Sequence, residues 1–274
     1  MSIPLYHVDA FTREPFRGNP AVVCVVDRDM EDRNFQTIAT EMNPVSETAF
    51  LAHLKENEYS LRWFTPKEEI RLCGHATMAT AHVLFNELSV EEPSVAFHTL
   101  SGVLKAVSEG RRVRLDFPRD DPTPIEAPNQ LLEALGIEAP KDVVYGGDNR
   151  YLVVVAEDEE TVRNLKPDID AMGRMKLPFE VKGVSVTSEA SGGYDIVSRF
   201  FAPWLGIDED PVTGSLHTIL TPYWCGKIGK KELLAFQASK RSGEMALTMD
   251  DERVYVTGEA VTLVKGTLRV PAQV

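Results

Sequence analysis

Phe64-Thr65-Pro66 followed by Cys73-Gly74-His75-Ala76-Thr77 returns later in the chain as Phe201-Ala202-Pro203 followed by Thr213-Gly214-Ser215. From Gly74 to Gly214 is 214 − 74 = 140 residues, and further pairs keep step: Ala96-Phe97 with Ala235-Phe236, Ser101-Gly102 with Ser242-Gly243, and Arg112-Val113 with Arg253-Val254. Any one such pair is weak in a β-rich chain. The same order at a nearly constant offset reads as two copies of one unit: strand, loop, helix, hairpin, strand.

The helices of the two copies, expected over residues 74–86 and 213–226, lie in stretches, 73–86 and 213–226, that contain no Asp, Glu, Lys or Arg. A helix apolar on every side is enclosed on every side, and at this length the enclosure is protein, not lipid. Each copy is therefore expected to be a curved, mainly antiparallel sheet rolled around a central helix, and the fold class to be α+β with two pseudo-symmetric lobes. Pro222 should kink or shorten the second helix. Further helical patterns cover 33–42 and 129–136, and extended segments rich in Val, Ile, Tyr and Phe dominate the rest. The Pro-rich stretch Phe117-Pro118-Arg119-Asp120-Asp121-Pro122-Thr123-Pro124 reads as a linker between an N-terminal lobe, 1–118, and a C-terminal lobe, 119–274, whose last strand is free to return to the first.

A net charge of −13 and a pI near 5.0 oppose binding to nucleic acid or anionic lipid. The start of the chain, MSIPLYHVDAFTREPF, has neither the basic region nor the apolar core of a secretory signal. No apolar run reaches the roughly 18 residues of a membrane span. Cys24, Cys73 and Cys225 are odd in number and far apart, which points to a reducing cytoplasm, not to a disulfide framework.

Chemistry is expected at the two helix starts. First-turn N–H groups at Gly74, His75, Gly214 and Ser215 can face a ligand carboxylate, helped by the helix dipoles, and with the lobes facing each other they would line a shared cleft. Asp210, in Glu209-Asp210-Pro211, reads first as an N-cap with Pro at the first helical position; it also stands where it could hold a substrate amine or hydroxyl. Glu47 follows a helix stopped by Asn43-Pro44 and opens the apolar strand Thr48-Ala49-Phe50-Leu51-Ala52. Partial desolvation there would raise its pKa toward the range useful for proton transfer, although most glutamates at strand ends are simply solvated. Cys73 at the same helix start is a secondary candidate, as is His75 for carrying a proton. The remaining histidines have no metal spacing, so neither a structural zinc nor a catalytic metal is expected. Nor does a phosphate-binding loop or a GxGxxG after a strand suggest a nucleotide cofactor.

Asp9-Ala10-Phe11-Thr12, Gly18-Asn19-Pro20-Ala21, Ser46-Glu47-Thr48-Ala49-Phe50, Cys73-Gly74-His75-Ala76-Thr77 and Glu209-Asp210-Pro211-Val212-Thr213-Gly214-Ser215 together resemble the PhzF-like isomerases of phenazine biosynthesis, in the right order over nearly the whole chain. The resemblance implies a diaminopimelate epimerase-like fold with the active site between the lobes. It also implies a homodimer, no cofactor and no metal. By the same resemblance Glu47 moves a proton, while His75, Asp210 and Ser215 bind or orient a small carboxylated, amino-bearing substrate; Asn19 is a secondary candidate. The epimerase's second catalytic cysteine has no counterpart, its place being taken by the Asp210-Pro211 region. Two rival readings stand beside this one: Cys73 as a nucleophile assisted by His75, in a hydrolase or transferase, and a metabolite-binding protein without catalysis.

Overall fold

The computed structural model describes residues 2–27, 30–42 and 47–270. They form two compact units, Met1–Asp116 with Thr257–Val274, and Phe117–Val256. The first contains β1 (Ser2–Ala10), β2 (Asn19–Val25), α1 (Asp32–Glu41), β3 (Thr48–Lys55), β4 (Glu58–Phe64), β5 (Glu69–Ile70), α2 (Gly74–His82), β6 (Ser94–Thr99), β7 (Gly102–Glu109) and most of β8 (Arg112–Pro118). The second contains β9 (Thr123–Pro124), α3 (Asn129–Leu135), β10 (Asp142–Gly146), β11 (Tyr151–Val155), α4 (Glu159–Asn164) and α5 (Ile169–Arg174). It continues through β12 (Gly183–Glu189), β13 (Ile196–Phe201), α6 (His217–Ile228), β14 (Glu232–Gln237), β15 (Gly243–Met249) and most of β16 (Arg253–Gly258). The final strand, β17 (Ala260–Arg269), lies antiparallel to β1 in the first unit.

Both units alternate antiparallel and parallel pairings in one pattern. In the first, β1–β2 is antiparallel, β2–β3 parallel, β3–β4 antiparallel, β4–β6 parallel and β6–β7 antiparallel. In the second the same order runs β10–β11, β11–β12, β12–β13, β13–β14, β14–β15. A parallel step needs a crossover segment. Here α1 and α2 serve in one unit, and α4 with α5, then α6, in the other. Tyr59 faces Phe97 across one parallel pair and Val197 faces Phe236 across its counterpart. The repeat is thus longer than the residue matches that reveal it.

All nine residues of α2 are buried, and the helix packs on β1, β2, β3 and β17. The alternation of a strand sends Val22 and Cys24 of β2 to the opposite face, where they pack with Phe35, Ile38 and Ala39 of α1. Ala21 and Val23 between them are also buried, which is why β2 reads as an unbroken apolar run. In the second unit Leu152, Val154, Val184 and Val186 carry the equivalent outer layer, with Leu131, Val162 and Met172 from α3, α4 and α5.

Hydroxyls inside these apolar helices are satisfied by their own backbone. In α2, Thr77 donates to the Cys73 carbonyl at 2.6 Å and Thr80 to that of Ala76 at 2.7 Å. In α6, Thr218 donates to Ser215 at 2.8 Å and Thr221 to His217 at 2.6 Å. Left unpaired, each would cost about 1–3 kcal/mol.

Two helix expectations need correction. The segment over 74–86 is α-helical only to His82 and continues as a π-helix over Val83–Glu87. Pro222 does not shorten α6, which runs on to Ile228. Proline deprives the Thr218 carbonyl of its helical donor, and the Asp120 N–H takes the vacancy at 3.3 Å. Asp120 is itself buried, its carboxylate accepting from the Asn149 N–H at 3.0 Å and the Asn149 amide at 2.9 Å. That amide also donates to the Thr218 hydroxyl at 3.1 Å.

Two glycines are dictated by backbone geometry. Gly18 has φ +65°, and a Cβ there would lie 2.1 Å from the Ala10 carbonyl oxygen. Gly136 closes α3 at φ +74° with open space around it, so Gly136→Ala carries backbone strain alone. We expect a loss of about 1–2 kcal/mol, read as a lower urea midpoint.

Candidate active site

Glu47 precedes β3 directly, and its carbonyl accepts the Val22 N–H at 3.2 Å, which ties it to β2. Asn43, Pro44 and Ser46, expected to stop the preceding helix and open the strand, lie outside the described residues. Cys73 is the N-cap of α2, with extended φ −143° and ψ 106°, and Gly74 and His75 form the first helical turn, whose N–H groups have no acceptor within the helix. The fold brings the side chains of Glu47, Cys73 and His75 together, their donor atoms all within 4.8 Å. His75 Nε2 is 3.1 Å from Glu47 Oε2, with the two side chains only 8% and 12% exposed.

Burial, the largest single influence on the His75 ring, disfavours its charge, but attraction to Cys73 and Glu47 together overrides it and the pKa stands well above the ordinary 6.5. Burial likewise raises the Cys73 thiol above its usual range. Cys73 Sγ lies 3.6 Å from Nδ1 and 3.9 Å from Nε2 of His75. A sulfur almost equidistant from both nitrogens is in line with neither N–H, so this is a contact, not a directed hydrogen bond. Buried, with its pKa raised and its sulfur unaligned with the ring, Cys73 lacks the features of a histidine-activated nucleophile.

In the other unit the Asp210-Pro211 pair does not start a helix, contrary to the local sequence signal. The Asp210 carboxylate accepts from the Thr213 hydroxyl at 2.5 Å. Gln237 of β14, fully buried, holds the loop by donating to the Asp210 carbonyl at 2.8 Å and accepting the Thr213 N–H at 2.9 Å. Gly214 and Ser215 lie in a turn, with the His217 N–H bonded to the Gly214 carbonyl at 3.1 Å, and α6 begins only at His217. The Ser215 hydroxyl is 3.3 Å from that of Tyr151 on β11. His217 donates through Nδ1 to the Thr213 carbonyl at 2.8 Å, and burial pushes its pKa down to about 4. Asn19 is fully buried at the start of β2, opposite Ala10.

Sequence reading missed Tyr151, Gln237 and the Asp120–Asn149 brace. Only the matching threonines of α2 and α6, 141 residues apart (Thr77 to Thr218, 218 − 77), carried a visible signal. Among the described residues no helix is long and apolar enough to cross a membrane.

The family model of phenazine biosynthesis-like proteins matches residues 8–266. An uncharacterized isomerase of Halalkalibacterium halodurans is 43% identical over 98% of this chain and 99% of its own length. The crystal structure of a PhzF-family phenazine biosynthesis protein from Enterococcus faecalis superposes with a TM-score of 0.91 at 41% identity, covering 98% of this chain and 100% of that one. A hydroxyproline epimerase from Agrobacterium vitis, 14% identical, shares the fold with a TM-score of 0.64 over 97% of this chain and 92% of that one, in keeping with the epimerase-like fold that the resemblance implies. On the extent of these matches, and on the paired units that carry the same motifs, the chain belongs to the phenazine biosynthesis-like (PhzC-PhzF) family and is an isomerase.

Proposed function

We propose that the chain catalyses a cofactor-independent proton shift or epimerisation on a small carboxylated, amino-bearing metabolite, with Glu47 as general acid and base. The observation that carries this reading is the 3.1 Å contact between Glu47 and His75 at the start of the charge-free helix α2. Glu47 takes a proton from a carbon beside an electron-withdrawing or conjugated group and returns one to a carbon of the same molecule, so no proton or electron is gained or lost overall. The protonated His75 orients the carboxylate and, with the first-turn N–H groups of Gly74 and His75, stabilises the negative charge that develops on the substrate. Asp210, Gly214 and Ser215 are assigned to substrate binding, and Asn19 to a secondary role, on the family resemblance. A cytoplasmic homodimer is proposed on the same ground, with three free, buried cysteines suiting a reducing compartment.

The test begins with a thermal-shift screen of carboxylated amines and hydroxy acids, followed by proton NMR of each hit with the protein in heavy water. We expect deuterium to enter the ligand at one carbon as its isomer accumulates. Ligands that bind tightly and never exchange would leave a binding protein in place of an isomerase.

A further inference from the structure

We propose that Glu47, Cys73 and His75 form an inhibitory binding site for a thiophilic divalent cation, zinc foremost, a regulation that rests on reading Glu47 as the acid and base. Three donors of the types zinc prefers, one thiol, one imidazole and one carboxylate, lie within 4.8 Å of one another inside a single unit. Zinc bonds of about 2.0–2.3 Å in tetrahedral array place ligand atoms roughly 3.3–3.6 Å apart. Two of the separations, 3.1 Å from Nε2 to Oε2 and 3.9 Å from Nε2 to Sγ, bracket that spacing, and with all three donors within 4.8 Å closure on an ion needs side-chain adjustment.

Charge favours the ion as well. A thiolate and a carboxylate cancel the two charges of zinc, and the imidazole is neutral when bound, so the filled site carries no net charge into its buried surroundings. The displaced protons, one from the thiol and one from the ring, go to solvent. Soft sulfur and borderline nitrogen disfavour magnesium and calcium, which take oxygen ligands. Cys73 and His75 are fixed by the first turn of α2 and Glu47 by the entry to β3, so the donors are gathered before the ion arrives. Three protein ligands leave a fourth position open to water or to a substrate carboxylate. With zinc seated, the Glu47 oxygen is committed to metal and proton transfer stops.

The purified full-length chain, stripped of metal by a chelator, is titrated with zinc sulfate against a chromophoric competitor, and separately with cobalt to read thiolate-to-cobalt charge transfer. We expect one ion per chain, with the charge-transfer band kept in Cys225→Ser and absent in Cys73→Ser. Cys73→Ser should weaken zinc binding more than about 100-fold, beyond the usual cost of losing an outer-shell partner. Should that variant fold poorly by circular dichroism, zinc protection of Cys73 against a maleimide in the wild-type chain, read by peptide mass spectrometry, gives the same answer. Undetectable binding in the wild type, equally tight binding in folded Cys73→Ser, or unchanged Cys73 labelling under zinc would overturn the site. If the wild type takes no zinc while Glu47→Gln stops deuterium exchange, only the metal site falls. If zinc binds and Glu47→Gln still exchanges at full rate, only the acid-base reading falls.

Discussion

Glu47→Gln is expected to slow deuterium exchange into the bound metabolite by about 10²–10⁴-fold, the usual contribution of one positioned acid-base group. The amide has the size of the carboxylate, and its oxygen can still accept from His75 Nε2, now 3.1 Å away. Packing at the start of β3 is therefore preserved, and the melting temperature and ligand affinity should change little. What the amide lacks is the capacity to hold a proton between leaving one carbon and joining another. Stopped-quench NMR of the exchanging carbon is the direct measure. Wild-type exchange in a well-folded Glu47→Gln chain would remove Glu47 from the chemistry.

Acidification is expected to strip about 3 kcal/mol from the folded chain through His217 alone. In the unfolded state this histidine titrates near 6.5; in the folded state burial lowers it to about 4, the ring being fully enclosed and its Nε2 without a hydrogen-bond partner among the described residues. Above pH 6.5 the ring is neutral in both states and its contribution is intact. Below 6.5 the unfolded chain binds the proton first, so stability falls until about pH 4, where the folded chain binds it too. At 1.36 kcal/mol for each tenfold difference in proton affinity, the gap amounts to about 3 kcal/mol. His75 has the opposite sign: its folded pKa is raised, so its contribution is full below 6.5 and fades as the pH climbs through the folded value. Urea unfolding of the wild type and His217→Gln from pH 7 to 4.5 separates the two. The variant starts less stable but should lose less on acidification, since carboxylate contributions are common to both. Parallel curves would show that His217 is not the source.

Much of the site's scaffold was legible because it depends on composition along a segment. A stretch with no charged residue has to be enclosed wherever it folds, and both such stretches became central helices, with α2 starting at Gly74. The second start was misjudged. Asp210-Pro211 is a sound local signal for a helix, yet Gln237, 27 residues on, captures the Asp210 carbonyl and the Thr213 N–H and keeps the segment a loop until His217. Shortening of α6 by Pro222 was misjudged for the same reason: the Asp120 N–H comes from outside the helix and meets the Thr218 carbonyl that Pro222 abandons.

By itself, then, the order of residues determined the family, the α+β class, the doubled unit and the two enclosed helices, because apolar pattern and motif order survive any rearrangement of the backbone between them. Tertiary structure alone decided that Glu47 meets His75 at 3.1 Å with Cys73 beside them. It also alone decided that Tyr151 reaches Ser215 and that the β1–β3 and β10–β12 halves repeat without matching residues. Strand pairing joins positions far apart in sequence through backbone hydrogen bonds that any side chain permits, so the letters carry no record of which distant partners those bonds select.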